Sequence, residues 1–173
     1  MPLFRLCHYI IAVLLATSSG SAVADEPTDR AAAQAQALVE RMKVFDTEGM
    51  AALTYMRFFE KMGIDPAQPR KAMADLNEKL KSIGAAYSKF EIQLTEKPFS
   101  GDGQLYIIIP YSGIMEARGR QMLQEAFFIG VSEDEGENWK FVDGISSTQQ
   151  NIRMVIPSYS GAPLPPRRQR PIE

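Results

Sequence analysis

Apolar positions change period partway along the chain. After Thr28 and Asp29, which suit a helix N-cap, residues 31–37 (AAAQAQA) favour helix, and Leu38, Met42 and Phe45 form one apolar stripe. Residues 46–49 (DTEG) interrupt it, with Asp46 or Thr47 able to cap a second helix that carries Met50, Leu53, Met56 and Phe59 and stops at Gly63. Ile64, Asp65 and Pro66 form a turn. Pro69 suits the first turn of a third helix, whose buried face is Met73, Leu76, Leu80 and Ile83 and which ends at Gly84.

Beyond Gly84 the alternation becomes strand-like. Phe90, Ile92 and Leu94 share one parity. Residues 98–103 (PFSGDG) read as a turn-rich connector, and residues 105–111 (LYIIIPY) as a strand apolar on both faces. Pro110, lacking an N–H, suggests a bulge or an exit from pairing. Residues 112–120 fit either a long hairpin loop or a distorted continuation. In the next strand Leu123, Glu125, Phe127, Ile129 and Val131 face one way, and Met122, Ala126, Phe128 and Gly130 the other. A strand apolar on both faces needs cover on both sides. Residues 140–142 return as a strand ended by Asp143 and Gly144. Ser147 can cap a short helix or turn holding Ile152, Val155 and Ile156, although residues 152–156 also allow a strand. The proline- and arginine-rich residues 157–173 have little to bury and read as a flexible tail.

The N-terminus follows a different logic. Arg5, the apolar run YIIAVLLA and the small residues ending Ala22-Val23-Ala24 fit a signal peptide cut between Ala24 and Asp25. The run is shorter than the ~20 residues that span a bilayer, so no stable membrane anchor is expected after cleavage. The organisation is then a signal at 1–24, one α+β domain at 25–156 and the tail, with a periplasmic or secreted location.

Export changes the available chemistry. Cys7 and His8 are the only Cys and His, and both leave with the signal. Disulfides, cysteine nucleophiles, Ser-His-Asp triads and His/Cys zinc sites are thereby excluded, and no metal or cofactor is expected. Arg5 is the only Lys, Arg, Asp or Glu in residues 1–24, so the rest holds 18 Lys+Arg against 21 Asp+Glu, a net charge of −3. That balance gives no reason to expect nucleic acid as a partner. A content of 45% hydrophobic and 23% charged residues is ordinary for a globular domain.

Two local patterns stand out. Residues 132–139 (SEDEGENW) match S-x-D-x-G-x-x-W through Ser132, Asp134, Gly136 and Trp139. This resembles the Asp box of sialidase propellers, but one copy in a short chain that opens with helices reads as a structural turn. The rival reading is a cation or sugar site on Glu133, Asp134, Glu135 and Glu137, which lack a regular metal-ligand spacing. The second pattern is helices followed by long consecutive strands ending in Trp139-Lys140-Phe141-Val142-Asp143-Gly144. This order resembles the NTF2-like α+β cone fold, over residues 31–144.

The resemblance implies N-terminal helices packed against a curved antiparallel sheet of about four strands. It also implies a pocket at the open end and frequent pairing of sheets between subunits. The family hosts ketosteroid-isomerase-type enzymes, dehydratases and non-catalytic binding domains, so fold does not settle function. Isomerase-type chemistry needs a carboxylate base and phenolic donors in an apolar pocket. Tyr55, Tyr87, Tyr106, Tyr111, Glu116 and Glu125 are the residue types at hand, and none matches that family's catalytic motif. The candidate ligand-binding set is Tyr55, Tyr106, Tyr111, Glu125 and Phe127, with no catalytic residue assigned. The expectation is an exported non-catalytic protein binding a small apolar molecule or a protein partner. The alternatives are a cofactor-free acid/base enzyme using Glu125 or Glu116 with a Tyr, and a structural homodimer.

Overall fold

The computed structural model describes residues 26–94, 96–145, 147–158 and 164–172. The segment expected to be a signal peptide lies outside the described residues, among which no helix is long and apolar enough to cross a membrane. The architecture is α+β, with helices packed on an open six-stranded antiparallel sheet.

Helix α1 (Glu26–Lys43) buries Ala31, Ala35, Leu38, Val39 and Met42 on one face. Glu26 and Asp29 in its first turn and Arg41 and Lys43 in its last oppose the helix dipole favourably. Phe45 ends it with a positive φ of 53°, and its ring is buried, 6.4 Å from that of Tyr87. Asp46 caps α2 (Thr47–Leu53) by accepting from the Gly49 N–H.

The apolar spacing of Met50, Leu53, Met56 and Phe59 predicts one helix, but the structure has two. The Tyr55 N–H donates to the Phe141 carbonyl at 2.9 Å, which commits it to the sheet and splits off α3 (Arg57–Lys61). Gly63 stops α3 with a φ of 71°. Helix α4 (Ala67–Ser82) has Pro69 in its first turn as expected. Its stripe does not behave as expected: the only buried residue is Asn77, and Leu76 is 55% exposed. The stripe borders a cleft instead of filling a core.

In the sheet, β1 (Ala86–Ile92) and β2 (Phe99–Gly101) lie in tandem along one edge of β3 (Gln104–Ala117). The expected connector at 98–103 therefore contains a strand, which turns into β3 at Asp102 and Gly103, both of positive φ. β3 pairs along its whole length with β4 (Arg120–Ser132) through a two-residue turn at Arg118 and Gly119, φ 52° and 70°. Of the two readings of residues 112–120, the strand continuation is the observed one. Pro110 does not bulge against β4; it stands beside the gap between β1 and β2, where a missing donor matters least.

On the far edge, β4 carries β5 (Lys140–Asp143) and, further along, β6 (Arg168–Ile172). Residues 168–172 are thus a paired strand, where the sequence suggests a flexible tail. Their side chains are all exposed, so main-chain pairing with residues 121–125 replaces apolar burial. Between these strands α5 (Gln149–Val155) is capped by Thr148, not Ser147.

Strand alternation sorts the interior into two layers. Ile107, Ile109, Tyr111, Ala126, Phe128 and Phe141 pack with α1. Tyr106, Ile108, Phe127, Ile129 and Val142 pack with Tyr55, Phe58 and α5 on the opposite face. The helices therefore supply the cover that two-faced apolar strands require.

Candidate functional site

On the α1 face the helices do not close fully. Two adjoining cavities of about 450 and 280 Å³ share Met42, Met50, Leu76 and Asp143. Met73 and Phe128 help to line the first, which also reaches Phe58 and Val142 of the opposite layer, and Tyr87, Met115 and Gln124 line the second. Together they form an apolar cleft with α4 along one side and the sheet as floor.

The floor is polar at one point. Register places Asp143 opposite Phe128, and therefore on the cleft face with Phe141. The Tyr111 hydroxyl donates to Asp143 Oδ1 at 2.9 Å and accepts from Gln124 Nε2 at 2.9 Å. The Ile145 N–H also donates to Asp143 Oδ1 at 2.9 Å. Tyr111 is itself packed between rings, with centroids 5.0 Å from Phe90 and 4.5 Å from Phe128.

Burial raises the Asp143 carboxyl above the usual aspartate range; the Ile145 and Tyr111 hydrogen bonds oppose this without cancelling it. By surface area Asp143 is exposed, because it borders an open cleft, yet its carboxyl is crowded by protein. Solvent reaching the cleft offsets part of the desolvation. Burial, followed by the Asp143 charge and its hydrogen bond, drives the Tyr111 phenol far up. Burial, with the Asp143 charge second, also raises Tyr87. Both phenols are therefore neutral, and Asp143 is the one carboxylate among the described cleft-lining residues.

The sequence-derived site residues are not brought together. Tyr111 is buried beneath the cleft, bonded to the lining residues Asp143 and Gln124, whereas Tyr55, Tyr106, Glu125 and Phe127 belong to the opposite face. Phe127 is fully buried core, with its ring where a Gly144 Cβ would stand. Glu125 is half-buried, between Ser112 on β3 and Arg168 on β6. The Tyr106 hydroxyl donates to Gln104 at 2.9 Å and is pushed up to about 12, chiefly by burial. Tyr55 borders a separate cleft of about 580 Å³, where its hydroxyl donates to Glu133 at 3.2 Å. Arg57 at 2.7 Å and Gln104 at 3.0 Å donate to the same Glu133 oxygen. Burial is the leading cause that raises Tyr55.

Asp143 and Gln124 are the site residues the sequence reading omits. A signal for Asp143 was present: in Lys140-Phe141-Val142-Asp143 it shares parity with the apolar Phe141. Gln124 has the parity of Ala126 and Phe128.

The acidic turn closes on itself. Ser132 Oγ bonds Asp134 Oδ1 at 2.8 Å and accepts from the Gly136 N–H at 2.9 Å. Asp134 Oδ1 also accepts from the Asn138 N–H at 2.9 Å. Trp139 Nε1 donates to the Gly136 carbonyl at 3.0 Å, and its ring is fully buried. The Asn138 side chain and N–H, with Ser132, hold the Asp134 carboxyl below the usual range. Among the described residues no group of three or more His, Cys, Asp or Glu is placed to hold a metal ion.

No family model, curated protein or solved structure matches this chain.

Proposed function

We propose that the protein is an exported, non-catalytic binding protein that takes a small apolar molecule into the cleft between α4 and the sheet. The observation that carries this reading is the cleft itself: a space of about 450 Å³ walled mainly by Met, Leu and Phe, with a few polar residues, Asp143 among them, in its lining. Ligand sites commonly have this character, mostly apolar with a few placed polar groups. The NTF2-like resemblance adds support, since it implies a pocket enclosed by N-terminal helices and an antiparallel sheet.

A second reading, a cofactor-free acid/base enzyme, is favoured by one observation: a carboxylate that lines an apolar cleft is bonded to a phenol beneath it. Its residues would be Asp143 and Tyr111, not Glu125 or Glu116. A homodimer through the sheet faces has less in its favour, since α1 and α5 already cover the centres of both faces.

Titration with Nile red, a neutral apolar dye, tests the binding reading. Fluorescence should saturate at one dye per chain and be displaced by 1-octanol. Met50→Trp, which crowds both cavities, should weaken binding about tenfold or more, the ~1.4 kcal/mol that a steric conflict of this kind exceeds. Unsaturable dye binding that octanol does not displace would sink the proposal.

A further inference from the structure

Asp143 stands where the two cavities meet. Its Oδ1 is occupied by the Tyr111 hydroxyl and the Ile145 N–H, while its Oδ2 takes no hydrogen bond or ion pair among the described residues. Among the described residues that line the two cavities none supplies a countercharge, and Arg167, close by, donates to the Gly144 and Ser147 carbonyls. α1 presents Leu38 and Met42, α2 presents Met50, and α4 presents Met73, Leu76 and Asn77. β1 contributes Tyr87 and β6 contributes Gln169.

A carboxylate facing apolar walls loses part of its hydration, a loss that a proton or a cation offsets. Among the described residues no Lys or Arg lines the cleft to supply that cation. Aromatic side chains, Phe128 and Phe141, line the cleft with Asp143. Such rings attract cations through their faces. The methionines at positions 42, 50 and 73 are unbranched and adapt to differently shaped apolar bodies.

Building on the reading of the cleft as a ligand site, we propose that its ligand is a small apolar amine. It binds in protonated form, with the ammonium donating to Asp143 Oδ2 and the hydrocarbon body along the methionine and phenylalanine walls. Tyr111 and Gln124 act as positioning residues: Tyr111 holds Oδ1, and Gln124 holds the Tyr111 hydroxyl, which leaves Oδ2 for the ligand. The upward shift of the Asp143 carboxyl agrees with this picture, because a bound ammonium would reverse it.

Calorimetric titration of the purified protein with 1-octylamine, 1-octanol and octanoate at pH 7 separates the possibilities. Octylamine should bind about tenfold tighter than octanol, the advantage of a charge-assisted over a neutral hydrogen bond. Octanoate should bind weakest. In Asp143→Asn the octylamine-to-octanol ratio should fall to about one. The unmodified protein provides an independent readout: acidification that protonates Asp143 should erase the octylamine advantage while octanol binding stays level. Equal affinities for octylamine and octanol at pH 7 overturn the amine inference and leave the apolar-cleft reading standing. Octanoate binding tightest overturns it too, since Asp143 would then be uncharged. Binding of none of the three removes the cleft reading and this inference together.

Discussion

At the scale of single residues, Asp143 is where local chemistry and stability meet. Burial makes its proton harder to remove in the folded state than in the unfolded chain. The sign follows from linkage: the folded state binds more protons, so stability falls as pH rises from the ordinary aspartate value near 4 toward the raised folded one. The cost is fully present above that raised value and absent below about pH 4. Asp143→Asn removes the titration but keeps an oxygen for Tyr111 and Ile145. Urea unfolding from pH 4 to pH 8 should therefore show the variant gaining on the parent protein as pH rises. A difference independent of pH would show that the carboxyl is not desolvated. Glu125 has no comparable place, since it sits between Ser112 and Arg168 on the other face of the sheet.

At the scale of elements, β6 is the least obvious component. None of its side chains is buried, yet it covers main-chain groups of β4 from residue 121 to residue 125. An uncovered edge of that length is a template for pairing with another chain. Truncation after residue 163 should produce concentration-dependent dimers or larger species in light scattering, with little change in helix content by circular dichroism. A truncated chain that stays monomeric would mean that β6 does not protect the edge. The Asp-box turn plays a different part at this scale. Its Ser132, Asp134 and Asn138 bonds are local, and Trp139 is joined to α1 by its N–H to Gln34 Oε1 at 2.7 Å. The turn thereby fixes β4 and β5 against the first helix.

At the scale of the whole molecule, the distribution of burial sets which part can move. The centre of the β3–β4 pair is covered on both faces, whereas α4 buries only Asn77, which donates to Thr47 at 2.9 Å. Gly63 and Gly84 flank α4, each at positive φ with open space where a side chain would be. Few buried contacts mean a low free energy of local opening. Hydrogen exchange should be fast through residues 67–82 and slow through β3 and β4. Saturating octanol should slow exchange in α4 selectively, because a ligand in the cleft packs against Met73 and Leu76. Uniform slow exchange across α4 and the sheet without ligand would show that the helix is not the movable wall of the cleft.

Local pattern alone indicated the first helix and the helix after Pro66, the long two-faced strands and the acidic turn, because the periods of apolar residues and the conformational preferences of Asp, Gly and Trp are properties of short segments. The break at Tyr55 was not legible there, since it depends on a carbonyl of Phe141, distant in sequence. Nor was β6, whose pairing is carried by main chain and not by apolar side chains. The candidate site divides in the same way. Tyr111 stands out as a phenol on an apolar strand, but its partners Gln124 and Asp143 lie on two other strands. Only the register of β3, β4 and β5 places them at one point. Apolar parity could indicate which face Asp143 takes. Tertiary structure decided that this face is left open beneath α4, because a helix stripe read from sequence looks the same whether it fills a core or walls a cleft.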